Sequence, residues 1–347
     1  MKGKHSRATT ALVLLAFGFM LLVLVTALLT DGRKLGSVVG SLKPAALVAA
    51  LLCSAISYFS IVGSFSALLR ISQHKVGFWR LSAITLISTT FNFVISTGGL
   101  SSIAVRLYLF KKENVNVSVM LPISVAQSML TNVVLALFCS FGLFYLETQS
   151  GFQNGAAQLF IWGALGVLVL IVALMAVLFF HPTPRRKVIW CLLSAWRWVE
   201  KRSGRIQSKR GSHLILQNME QSVRLLHQGW KPLGYGFFWV SLDWGFTALA
   251  LGACFEAVGV HLSAGSLIVG FALAFLSTTV NVLPGGLGVM EGLLTVTYAH
   301  FGIPAEKALV AALLFRLFYF IIPLGLSAVL YLDTMKRLMK GDYEKVE

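Results

Sequence analysis

Charge is what this sequence has least of. Lysine, arginine, aspartate and glutamate make up 12% of its 347 residues, about half the 25% of an average soluble domain. Acids are the scarcer kind, 13 against 29 lysines and arginines. Only four cysteines occur, Cys53, Cys139, Cys191 and Cys254, and none has Cys-x-x-Cys spacing. That excludes a disulfide framework and a thiolate zinc site as organising features. The seven histidines show no His-x-x-x-His pair, and there is no Walker loop and no dinucleotide fingerprint after a strand. The sequence therefore asks for no metal and no cofactor, and it offers no catalytic constellation.

What fills the space is long uncharged sequence: 8–30, 44–69, 81–105, 114–146, 148–184 and 257–290. A helix needs roughly 20 apolar residues to cross a bilayer, and each stretch is long enough. The runs do not alternate in polarity, as a membrane barrel would require. The expectation is an all-α polytopic integral membrane protein, a single membrane domain over 1–347. The first stretch follows the basic start MKGKHSR and is longer than the 7–15-residue core of a signal peptide; it reads as a retained span. A net charge of +16 points in such a chain to the cytoplasmic side of a membrane, and no nucleic acid is expected.

Charge also orients the chain. The hydrophilic segment 181–231 is dense in lysine and arginine and holds only Glu200 and Glu220 as acids, so it reads as a cytoplasmic basic loop. Two parts of it are amphipathic, 188–199 with Trp190, Trp196 and Trp198, and 212–228. They suit either the inner membrane surface or the protein's own base. Both termini are basic and are expected inside. The connection around Arg70, Lys75 and Arg80 belongs inside as well. Continuing across the membrane after Arg80 would strand Lys111 and Lys112 outside. A hairpin turning at Gly98-Gly99 returns them to the cytoplasm.

One string occurs twice. STTFNFVISTGGL begins at Ser88, and STTVNVLPGGLGVME begins at Ser277, two residues shorter between Ser-Thr-Thr and Gly-Gly. The duplication divides the chain into a first repeat, 44–147, and a second, 232–332. Each is a span, a broken helical hairpin and a span. The first hairpin is expected to enter from inside and the second from outside, which makes the repeats inverted in topology, a transporter architecture.

Pro284 removes a backbone donor, and Gly98, Gly99, Gly285 and Gly286 free the chain to break a helix at depth. Freed backbone groups there must be buried in protein or line a water-filled cavity. A helix starting after the break turns its amide dipoles towards that cavity, which suits an anionic group. The alternative is that the glycines only let helices pack closely. Asn92 and Asn281 precede the two breaks and offer amides to a ligand or to freed backbone. Intramembrane charge is costly and points to function. Glu291 follows the second break and Arg316 lies mid-span, so they either pair with each other or meet a substrate separately. Arg106, near the end of the first hairpin, is a further candidate, with a solvated arginine as its alternative. Asp243, between Trp239 and Trp244, is expected at the membrane interface.

These motifs resemble the lysylphosphatidylglycerol synthase transmembrane-region family. PGGLGVMEG, the following GIPAEKALVAALLFRLFYFIIPLG and the earlier Gly-Gly–Arg–Tyr stretch carry the resemblance, which extends over nearly the whole chain. The first motif departs from the family's pattern. Thr97-Gly98-Gly99-Leu100-Ser101-Ser102 lacks a glutamate while Arg106 is retained, and Gln127 to Asn132 stands where an arginine is common. The family's aminoacyl-transferring enzymes add a soluble domain absent from this sequence. The resemblance thus implies lipid translocation and not lysyl transfer.

The expectation is a flippase-like lipid transporter of the bacterial cytoplasmic (inner) membrane that is not an enzyme. It would handle a lipid or lipid-linked substrate with an anionic headgroup through Asn92, Gly98, Gly99, Arg106, Asn281, Pro284, Gly285, Gly286, Glu291 and Arg316. Two alternatives stand beside it: a membrane enzyme or accessory subunit for a lipid-linked substrate such as a prenyl-phosphate sugar or an aminoacyl lipid, and a membrane partner that recruits other proteins through its basic loop. Membrane lipids are the expected partners, with a membrane enzyme or a second copy of the chain as further ones.

Overall fold

The computed structural model describes residues 32–70, 76–94, 100–113, 115, 117–148, scattered positions within 159–187, 230–280 and 288–339. The expected first span, 8–30, lies outside the described residues, as does nearly all of the basic loop. Every described element is helical: α1 (Gly32–Gly40), α2 (Pro44–Leu69), α3 (Phe78–Val94), α4 (Leu100–Lys112), α5 (Val117–Thr148), α6 (Trp230–Ala257), α7 (Ala264–Val280), α8 (Val289–His300) and α9 (Ala305–Arg316). A π-helical turn (Leu317–Ile321) then leads into α10 (Ile322–Met339). Four continuous helical stretches are long and apolar enough to cross a membrane: Pro44–Leu69, Val119–Gly142, Lys231–Ala257 and Ala305–Leu332. The chain is an all-α membrane protein.

The helix ends follow from local chemistry. Pro44 opens α2 at its first turn, where no backbone donor is needed, after an extended Lys43. α6 and α8 end alike, on Gly259 at φ 70° and Gly302 at φ 79°. In each case the amide that follows the glycine reaches back, Val260 N–H to Phe255 O and Ile303 N–H to Tyr298 O. That is the Schellman arrangement, which requires a left-handed residue and hence favours glycine.

Helix lengths recur in order. α2, α3, α4 and α5 have 26, 17, 13 and 32 residues; α6, α7 and α8 have 28, 17 and 12, followed by the long α9–π–α10 arm. The packing recurs with the halves exchanged. α7 packs on α5, the last helix of the first half, and α3 packs on α10, the last of the second. The leading helices α2 and α6 pack along their whole lengths and run antiparallel. Lys43 Nζ meets Glu256 Oε1 at 2.7 Å at one end. Ser57 meets Asp243 in the middle, Gly63 lies under the Trp239 indole, and Leu68 lies against Gly236 at the far end. Small residues on α2 permit this approach: Ser54, Ser57, Ser60, Ser64 and Ala67 are all buried.

Both short pairs are hairpins. Arg80 Nη1 to Glu113 Oε2 is 2.9 Å, Arg106 Nε to Ser88 Oγ 3.3 Å, and Ser101 Oγ to Asn92 Oδ1 3.0 Å, a ladder that fixes α3 and α4 as antiparallel. Lys111 and Lys112 therefore lie at the same end as Arg80. In the second pair, the Tyr298 hydroxyl donates to Leu267 O at 3.3 Å, and the Tyr298 ring covers Gly270, where a Cβ would overlap it. At 1.5 Å per residue, α4 and α8 extend only about 18–20 Å, short of a core about 30 Å thick. The turns of both hairpins, 95–99 and 281–287, lie outside the described residues.

Candidate functional site

Four of the ten expected site residues are described: Asn92, Arg106, Glu291 and Arg316. Gly98, Gly99, Asn281, Pro284, Gly285 and Gly286 lie outside the described residues.

Glu291 and Arg316 form an ion pair, with Glu291 1% and Arg316 6% exposed. Glu291 has a second duty, because it is the third residue of α8. Its Oε2 accepts the Gly288 backbone N–H at 2.9 Å, with Gly288 at φ 81° opening the helix. One carboxylate thus caps a helix start and neutralises an arginine, as a buried charge requires. The Arg316 guanidinium also lies 5.2 Å from the Phe320 ring centre. Of the two arrangements open from the sequence, the structure has the paired one.

Arg106 departs from the solvated alternative: it is buried, 5% exposed. Its guanidinium lies 3.9 Å over the Phe65 ring, and Nε donates to Ser88 Oγ. The first Ser-Thr-Thr therefore works within the fold, Ser88 inside the hairpin on Arg106 and Thr90 outside it on Ser327 of α10, Oγ1 to Oγ at 2.7 Å. Asn92 accepts from Ser101 and so ties the two arms together. Gln127 is held by Ser64, Oγ to Oε1 at 2.7 Å, a neutral pair within the stretch 127–132 where the resemblance leads one to expect an arginine.

Asp243 corrects an expectation. It is not at a helix end among solvated tryptophans but midway along α6, 8% exposed, with Oδ1 hydrogen-bonded to Ser57 Oγ. The flanking tryptophans suggested headgroup depth, but Trp239 instead covers Gly63 and Trp244 packs on Phe271 and Phe275.

Sequence reasoning also missed a groove of about 850 Å³ between α2, α3, the end of α4 and the start of α10. Its wall is apolar, with Phe59, Val62, Ile87, Phe318 and Leu326 among the lining residues. Ser54 and Tyr58 also line it, and its charged lining residues, Arg80 and Glu113, pair at one end beside the exposed Lys111 and Lys112. Trp79, 80% exposed, marks the same end. The signal was present: Glu113 is the only acid between Asp31 and Glu147. Along α2 the lining runs from Leu51 to Val62, about 17 Å of helix and close to the depth of one leaflet, half of a core about 30 Å thick.

Comparison with known proteins adds a family. The model described as "Lysylphosphatidylglycerol synthase TM region" matches residues 11–327. The phosphatidylglycerol lysyltransferase of Staphylococcus aureus (strain MRSA252) is 34% identical over 89 residues, 26% of this chain and 11% of that protein. The UPF0104 membrane protein of Methanothermobacter thermautotrophicus is 37% identical over 99 residues, 28% of each chain. The aligned stretches thus span well under a third of these curated relatives.

Proposed function

The chain belongs to the lysylphosphatidylglycerol synthase transmembrane-region family, and from that premise we propose that it is a flippase-like translocator of a membrane lipid or lipid-linked molecule with an anionic headgroup. The observation that carries the reading is the groove. It runs between helices whose outer side chains, such as Phe59 and Trp79, are exposed, it is about as long as one leaflet is deep, and it is mainly apolar with its charged residues, Arg80 and Glu113, at one end. An acyl chain fits the apolar wall. At the polar end, the half-exposed Arg80 guanidinium presents the planar fork that phosphate oxygens match, and Lys111 and Lys112 outweigh the single charge of Glu113. An anionic headgroup would take the place of Glu113 on Arg80, so capture and release exchange one ion pair for another.

The two halves then act as inverted repeats. The antiparallel α2–α6 pair and the exchanged packing of α3 on α10 and α7 on α5 support a two-fold relation lying in the membrane plane. In this reading the hairpin arms are half-spans that enter from opposite sides, and both termini are cytoplasmic in the inner membrane. Rocking of one half against the other would present the groove to each leaflet in turn.

Reconstituted vesicles carrying a fluorescent anionic phospholipid test the reading by loss of signal to an external quencher. The protein is expected to accelerate this loss over protein-free vesicles. Ala83→Trp, which fills the groove, and Arg80→Ala are each expected to slow it at least tenfold in protein that elutes and melts as the parent does. Vesicles no faster than protein-free ones, for anionic, zwitterionic and lipid-linked probes alike, would end the translocator reading.

A further inference from the structure

The leading helices of the two halves cross at a buried acid. Asp243 is the fourteenth residue of α6, and Ser57 is the fourteenth of α2. They occupy equivalent places in the two halves and touch each other at the centre of the antiparallel pair. Ser57 is fully buried and Asp243 nearly so. Among the described residues, no lysine, arginine or histidine lies within ion-pair distance of Asp243.

The carboxyl sits in a shell of neutral hydroxyls. Ser57 Oγ donates to Asp243 Oδ1. Ser57 Oγ and Thr247 Oγ1 lie 2.9 Å apart, Thr247 Oγ1 donates to the Asp243 carbonyl oxygen at 2.8 Å, and the Tyr319 hydroxyl bonds into the same serine and threonine. Hydroxyls can share a proton with an acid but bring no positive charge to it. A buried carboxylate without a counter-charge is costly to keep ionised, and a bound proton removes that cost.

We infer that Asp243 is a proton-binding site at the pivot between the two halves, and that taking up and releasing this proton is coupled to their alternation. The step is simple: a carboxylate and a proton give a carboxylic acid, and nothing is oxidised. The protonated acid is neutral and can stay dry among the hydroxyls. A bare charge near mid-membrane demands water. Deprotonation therefore favours an arrangement in which the α2–α6 contact is open to one aqueous side, and reprotonation favours the closed one. Each proton thus shifts the equilibrium between two packings.

The other groups around the site do not supply the charge. Tyr58 of α2 and Tyr319 of the π turn face it, the Tyr319 hydroxyl bonding into the same serine and threonine. α7 carries no ionisable residue. α5 carries only Cys139, Tyr145 and Glu147, and α9 carries Glu306, Lys307 and Arg316, the last held by Glu291. Cys53 and Cys254 lie further along the α2–α6 pair.

The coupling rests on the translocator reading, but the proton site does not, and the test separates them. Infrared spectra of the full chain in lipid nanodiscs at neutral pH are expected to show the carbonyl stretch of a protonated carboxylic acid. The band should vanish in Asp243→Asn, persist in Asp243→Glu and be untouched by Glu256→Gln at the surface. A band unchanged in Asp243→Asn, or no band in the parent, overturns the site. Should Asp243→Asn fail to fold, Ser57→Ala removes the hydroxyl bonded to the acid and is expected to shift the band; an unmoved band is then the overturning result. In vesicles with an imposed pH gradient, the parent's lipid movement is expected to respond to the gradient, and in Asp243→Asn the rates with and without it should become equal. A variant that responds like the parent overturns the coupling. A parent that shows the band but moves no lipid sinks the translocator reading and leaves the proton site standing.

Discussion

Arg316 has its charge answered by Glu291 inside the fold, and the two can be separated by chemistry that keeps their shapes. Glu291→Gln retains an oxygen for the Gly288 amide and so preserves the helix cap while removing the charge. It is expected to cost about 3–5 kcal/mol, because a buried arginine loses its counter-charge. Glu291→Gln with Arg316→Gln is expected to cost less than either single change, measured by thermal unfolding in detergent. A double variant at least as unstable as the sum of the singles would show that the pair is not what holds the two helices. Gly63→Ala is a second residue-scale test. A Cβ there would come within 2.5–2.8 Å of three Trp239 ring atoms, and overpacking of this kind costs typically 1–3 kcal/mol. The pair was legible in the sequence because isolated charges in long apolar runs stand out. The site of Asp243 was not. Its neighbours in sequence, Trp239 and Trp244, resemble an interfacial belt, while the partner that explains it, Ser57, is 186 residues away.

At the scale of the element, the π turn between α9 and α10 has an identifiable cause. Pro323 has no N–H to offer the carbonyl four residues back, that of Tyr319, and its ring crowds the same oxygen. The helix widens one turn earlier, with Ile322 N–H reaching Leu317 O, and the Tyr58 hydroxyl fills the vacancy on Tyr319 O at 2.9 Å. Tyr58→Phe should therefore cost about 1–3 kcal/mol, the penalty of a buried orphan acceptor. In a Pro323→Ala background the helix can supply its own donor, and the cost of Tyr58→Phe should fall towards zero. A double-mutant cycle on unfolding reads the difference, and equal costs in both backgrounds would refute the account. Gly302→Ala carries a similar backbone argument. Nothing lies within 4 Å of the Cβ it would add, and φ is +79°, so its cost of about 1 kcal/mol is conformational alone. Helix extents were readable from uncharged runs and from prolines such as Pro44. The π turn was not, because its stability is shared with a tyrosine on α2.

For the whole molecule, duplicated Ser-Thr-Thr and Gly-Gly signatures raise the expectation of two halves, and the described helices repeat similar lengths in order, 26, 17 and 13 residues and then 28, 17 and 12. What the sequence withheld is the exchange, α3 lying on α10 and α7 on α5, because a pattern along one chain does not say whose neighbour a helix becomes. The exchange and the antiparallel α2–α6 pair make a definite demand on topology. If α2 and α6 cross the membrane in opposite senses, equivalent points of the two halves must face opposite sides. Lys112, at the end of the first hairpin, lies beside the Arg80–Glu113 pair. Lys307, in the first turn of α9, follows the second hairpin. In a variant freed of its four native cysteines, Lys307→Cys should react with a membrane-impermeant maleimide added to whole cells. Lys112→Cys should react only after the membrane is opened. Reaction of both from outside would mean that the first pair crosses fully or that the halves share one orientation, and either outcome removes the two-fold axis from the membrane plane. Reaction of Lys112 alone would turn the protein over, with its termini outside, while keeping the halves opposed. The expected pattern, Lys307 outside and Lys112 inside, would place the polar end of the groove at the cytoplasmic face, where a lipid headgroup would first meet it.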